Sequence, residues 1–248
     1  MPDMNLGDVT IHYDEAGAGP LAYVYCHSLG GNSEDFIQEF DFWKKYFGRV
    51  VTWDNRGRGR SSQAAKYSLP LYASDLARLL DGLGIQKAVV HGFSWGGVLV
   101  QQFALDYPEK CAAVIVDSSS SEVNVAASER WYNVGERARQ NKGGEGGRAM
   151  NPEHIDSFVA SARAVASMRE QPFTPRLKNI TCPVLLVVGA GDVSTGGAAG
   201  AVIMSKNLPK NRLQIFDGVE HAVYVQKQEE FRKLVLEFCR EHEIIKGD

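Results

Sequence analysis

The chain has 248 residues, 44% of them hydrophobic, enough for one large core in a single domain. The net charge of −3 gives no basic footprint for nucleic acid or an anionic membrane, and no apolar run approaches the roughly 20 residues that span a bilayer. The start of the sequence has no signal-peptide pattern, and the four cysteines follow neither a zinc nor a disulfide spacing, which predicts a cytoplasmic protein with reduced thiols.

Strand patterns and helical patterns then alternate along the chain. The runs VTIHYDEA and PLAYVYCH, joined by the turn signal GAGP, predict two strands paired as a hairpin. Further strands are predicted at RVVTWD, KAVVHG, AAVIVD, PVLLVVGAGD and RLQIFDG, with helices near residues 33–47, 71–83, 97–107 and 198–207 and a last helix with its apolar face at Phe231, Leu234, Val235 and Phe238. Because apolar strands that alternate with helices need cover on both sides, we predict an α/β fold with a mostly parallel sheet.

Residues 118–180 interrupt this alternation. The segment holds a glycine-rich stretch at 143–147, interpreted as a hinge, and then one amphipathic helix that Asn151 would cap, with Pro152 in its first turn. We interpret it as a helical cap inserted into a core formed by 1–117 and 181–248, too short to be an independent domain. A surface helix packed on the core explains the same apolar stripe equally well.

The motif GFSWG places Ser94 between Gly92 and Gly96, where an apolar strand meets an apolar helix. Gly-x-Ser-x-Gly alone is a weak signal, but this strand-to-helix context is the one that a nucleophile elbow requires. A Cβ at either glycine would collide with the neighbouring strand or helix. The serine would then project above the sheet at a helix N-terminus, which favours developing negative charge. The alternative is an ordinary tight turn.

A serine nucleophile needs a base, and the base needs an acid to orient it. Of the six histidines, His221 in DGVEHAV follows the last predicted strand, so that it lies at the catalytic edge of the sheet and in the chain order serine, acid, histidine. Asp192, after the strand PVLLVVGAG, is the favoured acid. Asp117, at the end of AAVIVD, remains the alternative acid, and a loop histidine without a role remains the alternative for His221.

An oxyanion intermediate needs two N–H donors. We predict the backbone amide of Trp95, next to the nucleophile, and that of Leu29 in the loop CHSLGG, where Gly30 and Gly31 permit close approach. The alternative for this loop is a segment that merely begins a helix.

Other patterns give no further function. GAGDVSTGG departs from the dinucleotide-binding glycine pattern at Ser194, and neither Gly-Lys-Ser/Thr nor His-Glu-x-x-His occurs. We therefore infer no metal and no cofactor. The basic turn DNRGRGRSS is too short to predict RNA binding and is interpreted as a structural loop.

Taken together in their order, HSLGG, DNRGRGRSS, GFSWGG, GAGD and VEHAV resemble the α/β-hydrolase superfamily over nearly the whole chain. HSLG resembles the 3-oxoadipate enol-lactonases and their esterase relatives. The resemblance implies an eight-stranded, mostly parallel sheet with helices on both faces, a helical cap after the sixth strand, no cofactor, and catalytic roles for Ser94, Asp192 and His221. Trp95 departs from the methionine more common in such lactonases, and the segment after Asp192 lacks the proline often found there.

These observations predict a serine hydrolase of carboxylic esters or lactones. The alternatives are a hydrolase of C–C bonds or a perhydrolase on the same triad, and a ligand receptor of this fold with slow turnover. A short cap and the bulk of Trp95 beside the nucleophile predict small acyl groups, whereas the small residues of 196–200 would widen one wall near Asp192. The sequence leaves open whether the chain forms a homo-oligomer.

Overall fold

The computed structural model describes residues 2–140, 142–144, 150–194 and 196–246. Its strands are β1 (Asp3–Asn5), β2 (Thr10–Gly17), β3 (Leu21–Cys26), β4 (Arg49–Trp53), β5 (Lys87–Phe93), β6 (Cys111–Asp117), β7 (Val184–Gly189) and β8 (Asn211–Phe216). They form one eight-stranded sheet in the order β1-β2-β4-β3-β5-β6-β7-β8. Strands β3 to β8 run parallel to one another, β2 pairs antiparallel with β4, and β1 pairs antiparallel with β2 at the edge of the sheet. The predicted α/β class and mostly parallel sheet are confirmed.

Two apolar layers cover the faces of this sheet. The helices are α1 (Phe40–Phe47), α2 (Leu69–Gly82), α3 (Trp95–Asp106), α4 (Val125–Arg139), α5 (Ile155–Ser167), α6 (Gly197–Asn207), α7 (Val223–Gln226) and α8 (Gln228–Glu241). Alternate residues of β3 enter opposite layers: Val24 belongs to the buried cluster that includes residues of α2, α3 and α6, and Tyr23 belongs to the one that includes residues of α1 and α8. Because both faces of a central strand are buried, its sequence is a continuous apolar run.

The predicted hairpin between the first two long strands is wrong. Strand β2 pairs antiparallel with β4, whereas β3 lies between β4 and β5 and is parallel to both. The run LAYVYC has no polar face that water could cover, so it belongs in the interior of the sheet and not in an edge hairpin. The turn at 17–20 is therefore a connection that passes over β4, where Ala18 N–H donates to Gly48 O at 3.1 Å.

The described residues of the inserted segment form two α-helices, α4 and α5, where the sequence predicted one. Asn151 caps the short 3-10 turn before α5 by accepting from Glu153 N–H, as expected. The unpredicted helix α4 begins at the N-cap Asn124, whose side chain accepts from Ala127 N–H at 2.8 Å. Helix α4 is mostly polar, so its short apolar stripe is not recognisable in the sequence. The hinge predicted at 143–147 lies partly outside the described residues.

The two ends of this insertion meet on the core. Phe173 N–H donates to the carbonyl of Ser121 at 2.8 Å, and the hydroxyls of Ser121 and Thr174 lie 2.7 Å apart. The insertion thus leaves and rejoins the core at one hydrogen-bonded junction. Within the described residues, no helix is both long enough and apolar enough to cross a membrane.

Candidate active site

Ser94 lies at the junction of β5 and α3. Its backbone has φ 57° and ψ −115°, a region that residues other than glycine rarely adopt. The conformation is held by two hydrogen bonds of 2.9 Å: Ser94 N–H donates to Asp117 O, and Gly97 N–H donates to Ser94 O. The residue is 6% exposed and lines a cavity. The structure therefore has the strained strand-to-helix turn that the motif predicted.

The flanking glycines are required by close backbone contacts. A Cβ added to Gly92 would lie 2.2 Å from the carbonyl oxygen of Gly96, and one added to Gly96 would lie 2.1 Å from the carbonyl oxygen of Cys26. Both are well inside van der Waals contact, and both involve main-chain atoms that cannot rotate away. The predicted reason for the two glycines is confirmed.

His221, in the loop between β8 and α7, lies on the same cavity as Ser94. Its Nδ1 is 2.9 Å from Asp192 Oδ2, and its ring packs against Phe93 with centroids 5.0 Å apart. An Nδ1–H that donates to Asp192 leaves Nε2 with a lone pair. Among the described residues no hydrogen bond joins Ser94 Oγ to the ring, and catalytic hydrogen bonds of this kind often form fully only when substrate binds.

Ser194 is part of this arrangement and was not predicted. Its N–H and its hydroxyl donate to Asp192 Oδ1 at 2.8 and 2.6 Å, and its Oγ lies 2.7 Å from His221 Nδ1. An aspartate that accepts from the N–H two residues later forms a common turn. The only sequence signal for Ser194 was thus its position two residues after the acid.

Burial acts to raise the pKa of Asp192, but the hydrogen bonds from His221 and from the hydroxyl and amide of Ser194 outweigh it and hold the pKa below its ordinary value. The carboxylate is therefore ionised at neutral pH. An ionised Asp192 can fix the ring orientation of His221 and stabilise a positive charge on it.

Asp117, the alternative acid, is engaged elsewhere. Its Oδ1 accepts from Ser118 Oγ at 3.0 Å, and its Oδ2 lies 3.5 Å from Nε2 of His91 in the core beneath the elbow. Both Asp117 and His91 are fully buried. The structure thus brings Asp192 against His221 and directs Asp117 into the interior.

Of the two predicted oxyanion donors, Leu29 lines the cavity together with Ser94, and Trp95 follows Ser94 as the first residue of α3. In the described part of the chain, neither the amide of Leu29 nor that of Trp95 donates to another protein group. Arg58 anchors the Leu29 loop by donating from Nη2 to Leu29 O at 2.8 Å. His27 supports the same loop, because its Nδ1 lies 2.7 Å from Ser28 O. Burial lowers the pKa of His27 despite the nearby carboxylate of Asp54, which favours a neutral ring.

The expected position of the Trp95 side chain is wrong. The indole is 2% exposed, donates from Nε1 to Ser161 O of α5 at 3.2 Å, and packs edge-on against Tyr72 of α2. It lies under the cap and does not line the cavity that holds Ser94. A buried indole needs an acceptor for its N–H, and α5 supplies one.

The small-residue run near Asp192 is also placed differently from the expectation. Gly196, Ala199 and Gly200 line a separate cavity together with Asp192 and are not among the residues that line the Ser94 cavity. They therefore do not widen the site beside the nucleophile.

The cavity that holds Ser94 has a volume of about 580 Å³, within the ~300–1,000 Å³ of small-molecule sites. Core and cap both contribute to its wall. Among the lining residues are Leu29, Arg58, His221, Met150, His154 and Phe158. Ser94, the His221 that is paired with a carboxylate, and Leu29, whose amide has no acceptor among the described residues, thus line a space suited to a small molecule.

Several known proteins are similar to this chain. It is 27% identical over 256 residues to 3-oxoadipate enol-lactonase 2 of Acinetobacter baylyi, covering 92% of each chain. The enol-lactonase from Burkholderia xenovorans LB400 matches with a TM-score of 0.81 at 18% identity, covering 96% of this chain and 99% of that one. Est816, described as an N-acyl homoserine lactone degrading enzyme, matches with a TM-score of 0.74 at 25% identity, covering 96% and 100%.

A family profile agrees with these similarities. The family described as alpha/beta hydrolase fold matches residues 24–151, just over half of the chain. The matched span runs from β3 through the strained turn at Ser94 to the segment between α4 and α5. The strand order and the position of Ser94 are what that family's fold implies. The chain therefore belongs to the alpha/beta hydrolase fold family.

Proposed function

We propose that the protein is a serine hydrolase that cleaves carboxylic esters or lactones of small acyl substrates through Ser94, His221 and Asp192. The observation that carries the proposal is the strained Ser94, with φ 57°, on the same cavity wall as a histidine whose Nδ1 lies 2.9 Å from an ionised carboxylate. A surface turn has no need of such strain.

In this mechanism Ser94 Oγ attacks the ester carbonyl while Nε2 of His221 accepts the hydroxyl proton. The amides of Leu29 and Trp95 donate to the oxyanion. Collapse of the intermediate expels the alcohol, which takes the proton from His221, and leaves an acyl group on Ser94. Water then attacks the acyl group as His221 accepts its proton, and carboxylic acid and free Ser94 are released. In a lactone the leaving hydroxyl stays attached to the product.

The size of the cavity, about 580 Å³, supports small substrates. Two relatives are described as enol-lactonases and one as a lactone-degrading enzyme, which supports lactones among them. We expect the highest kcat/KM for acyl chains of about two to six carbons, since a longer chain would clash or gain little, at a scale of ~1–3 kcal/mol per misfit group. A series of p-nitrophenyl esters measures this, and a maximum at twelve carbons or longer would contradict it.

The test of the proposal is covalent labelling together with turnover. A fluorophosphonate should label the wild type once, on Ser94, as located by peptide mass spectrometry, and Ser94→Ala should abolish both labelling and hydrolysis of p-nitrophenyl acetate. The matched control is Ser167→Ala, which removes an exposed hydroxyl bonded only within its own helix end. Substantial turnover by purified Ser94→Ala would exclude the serine mechanism. A single burst without turnover in the wild type would favour a receptor.

A further inference from the structure

The basic turn DNRGRGRSS, interpreted from the sequence as a structural loop, sends one of its three arginines into the active-site cavity. Arg58 is 7% exposed, and it lines the cavity together with Ser94 and His221. A guanidinium stays protonated in proteins. The wall of the proposed active site therefore carries a largely buried positive charge.

The other two arginines of the turn have carboxylate partners. Arg56 donates to both oxygens of Asp75, from Nε at 2.6 Å and from Nη2 at 2.7 Å. Arg60 donates to Asp14 at 2.8 Å. Arg58 has no carboxylate within ion-pair distance among the described residues. The turn thus neutralises two of its charges and leaves the one on the cavity wall without an ion-pair partner.

The hydrogen-bonding capacity of Arg58 is also mostly unused. Nη2 donates to Leu29 O at 2.8 Å, and the face of the guanidinium lies 5.7 Å from the ring centre of Phe158. Nε is buried and has no acceptor, and no acceptor in the described part of the chain bonds to Nη1. A buried charge with unpaired donors is costly unless a partner completes it.

Nearby charges do not fill this gap. Asp54 attracts Arg58, but its two oxygens accept from the backbone amides of Ser33 and Arg60. Asp35 also lies on the cavity wall, but it is exposed and its Oδ2 accepts from Asn32 N–H, so that water screens its charge.

His154, on the cap side of the cavity, does not add a competing positive charge. Its Nε2 lies 3.2 Å from the carbonyl oxygen of Gly59. Burial, with the charge of Arg58 as a further cause, lowers the pKa of His154. A neutral ring here leaves Arg58 as the positive group on this part of the wall.

From this geometry we infer that Arg58 recognises a carboxylate on the substrate. The substrate class is then a half-ester of a dicarboxylic acid, or a lactone that bears a carboxylate, with the charged end against Arg58 and the scissile carbonyl at Ser94. The guanidinium offers charge-assisted donors of the geometry that carboxylates accept. This inference rests on the proposed function and names the substrate class of the same site.

Two p-nitrophenyl substrates of equal length test the inference: the half-ester of adipic acid, which is anionic, and its neutral methyl ester. The quantity measured is the ratio of their kcat/KM values, with Ser94→Ala as the background. Arg58→Gln also weakens the anchor on Leu29, but that loss affects both substrates and cancels in the ratio. The expected result is a fall in the ratio by about 10- to 150-fold, the range for a hydrogen bond to a charged group. Arg60→Gln, which removes a paired charge from the same turn, should change the ratio less than about twofold. An unchanged ratio in Arg58→Gln would overturn the inference.

A binding measurement separates this inference from the proposed function. Ser94→Ala protein should bind monomethyl adipate, which is anionic, about 10-fold or more tightly than neutral dimethyl adipate by calorimetry, and adding Arg58→Gln should remove the difference. Equal affinity for the two ligands in Ser94→Ala overturns the carboxylate site, whether or not Arg58→Gln folds. A wild type that hydrolyses no ester, but whose Ser94→Ala form prefers the anionic monoester through Arg58, would refute the proposed function and leave the carboxylate site in place.

Discussion

Replacing Asp192 by Asn isolates the role of its charge at almost constant volume. The native carboxylate lies 2.9 Å from Nδ1 of His221 and accepts two hydrogen bonds from Ser194. An amide that keeps those two bonds through its oxygen presents its NH₂ group to Nδ1. Nδ1 must then accept, and the ring proton moves to Nε2, which can no longer take a proton from Ser94.

The expected loss follows from that change of tautomer. A histidine held with its proton on the wrong nitrogen lowers kcat by roughly 10⁴-fold, as established for a serine protease triad, which corresponds to ~5.4 kcal/mol in the activation barrier at 1.36 kcal/mol per tenfold. The loss should appear in kcat and kcat/KM together, because the interaction strengthens as His221 becomes charged. Steady-state turnover of p-nitrophenyl acetate measures it.

Asp117→Asn is the matched control. Asp117 is fully buried and bonded to Ser118, so its replacement should lower the free energy of unfolding by about 1–3 kcal/mol. Its kcat should change less than about tenfold, because the carboxylate faces His91 and not His221. Urea unfolding and turnover measured on both variants decide the matter. If Asp117→Asn lowered kcat more than Asp192→Asn did, Asp117 and not Asp192 would be the acid that orients His221.

Three further predictions concern stability and specificity. Gly96→Ala should yield little folded protein, because its Cβ would lie 2.1 Å from a carbonyl oxygen. The control Gly30→Ala, whose Cβ would meet nothing within 4 Å, should unfold at the wild-type urea midpoint. A folded, active Gly96→Ala protein would contradict this prediction. Trp95→Phe should lower the free energy of unfolding by about 1–3 kcal/mol through loss of the indole hydrogen bond, and the acyl-chain length with the highest kcat/KM should not change. A change in that length would show that the indole lines the cavity. The folded pKa of Asp192 lies below its ordinary value of 3.8, so its stabilisation is complete above that value and is lost as pH falls through the folded pKa. Asp192→Asn should therefore show a flatter decline of unfolding free energy from pH 5 to pH 2, and parallel curves would refute the depressed pKa.

The parts of the fold that were predictable are those that local patterns determine. The central strands were evident because a strand buried on both faces must be apolar throughout. The turn at Ser94 was evident because two glycines flank a serine between a strand and a helix. In each case the deciding interactions lie within a few residues along the chain.

The errors all concern relations between distant segments. The hairpin failed because the partner of β2 is β4, which a local turn signal cannot reveal. Helix α4 was missed because it buries few apolar residues and packs mainly on α5. The direction of the Trp95 indole depends on an acceptor supplied by Ser161, 66 residues further along the chain.

The site was predictable to a similar degree. Chain order and strand ends singled out Asp192 and His221, which the structure places 2.9 Å apart. Arg58 was not singled out, because all three arginines of its turn have the same sequence signal. Only the fold distinguishes the two that meet carboxylates from the one that faces the cavity.

Because of the junction at Ser121, the inserted cap could be replaced as one unit. Because the inserted segment leaves and returns through adjacent hydrogen-bonded positions at Ser121, Phe173 and Thr174, the core imposes only a short end-to-end distance on whatever lies between them. The entropy of closing such a loop grows slowly with its length. A cap of different length from another member of the family could therefore replace it without change to the sheet or to the turn at Ser94. The replacement would have to cover Tyr72 and Trp95, which α5 shields from water. Excision without a replacement would expose both aromatic side chains. Substrate preference should therefore be easier to change by replacing the cap than by successive substitutions in the core.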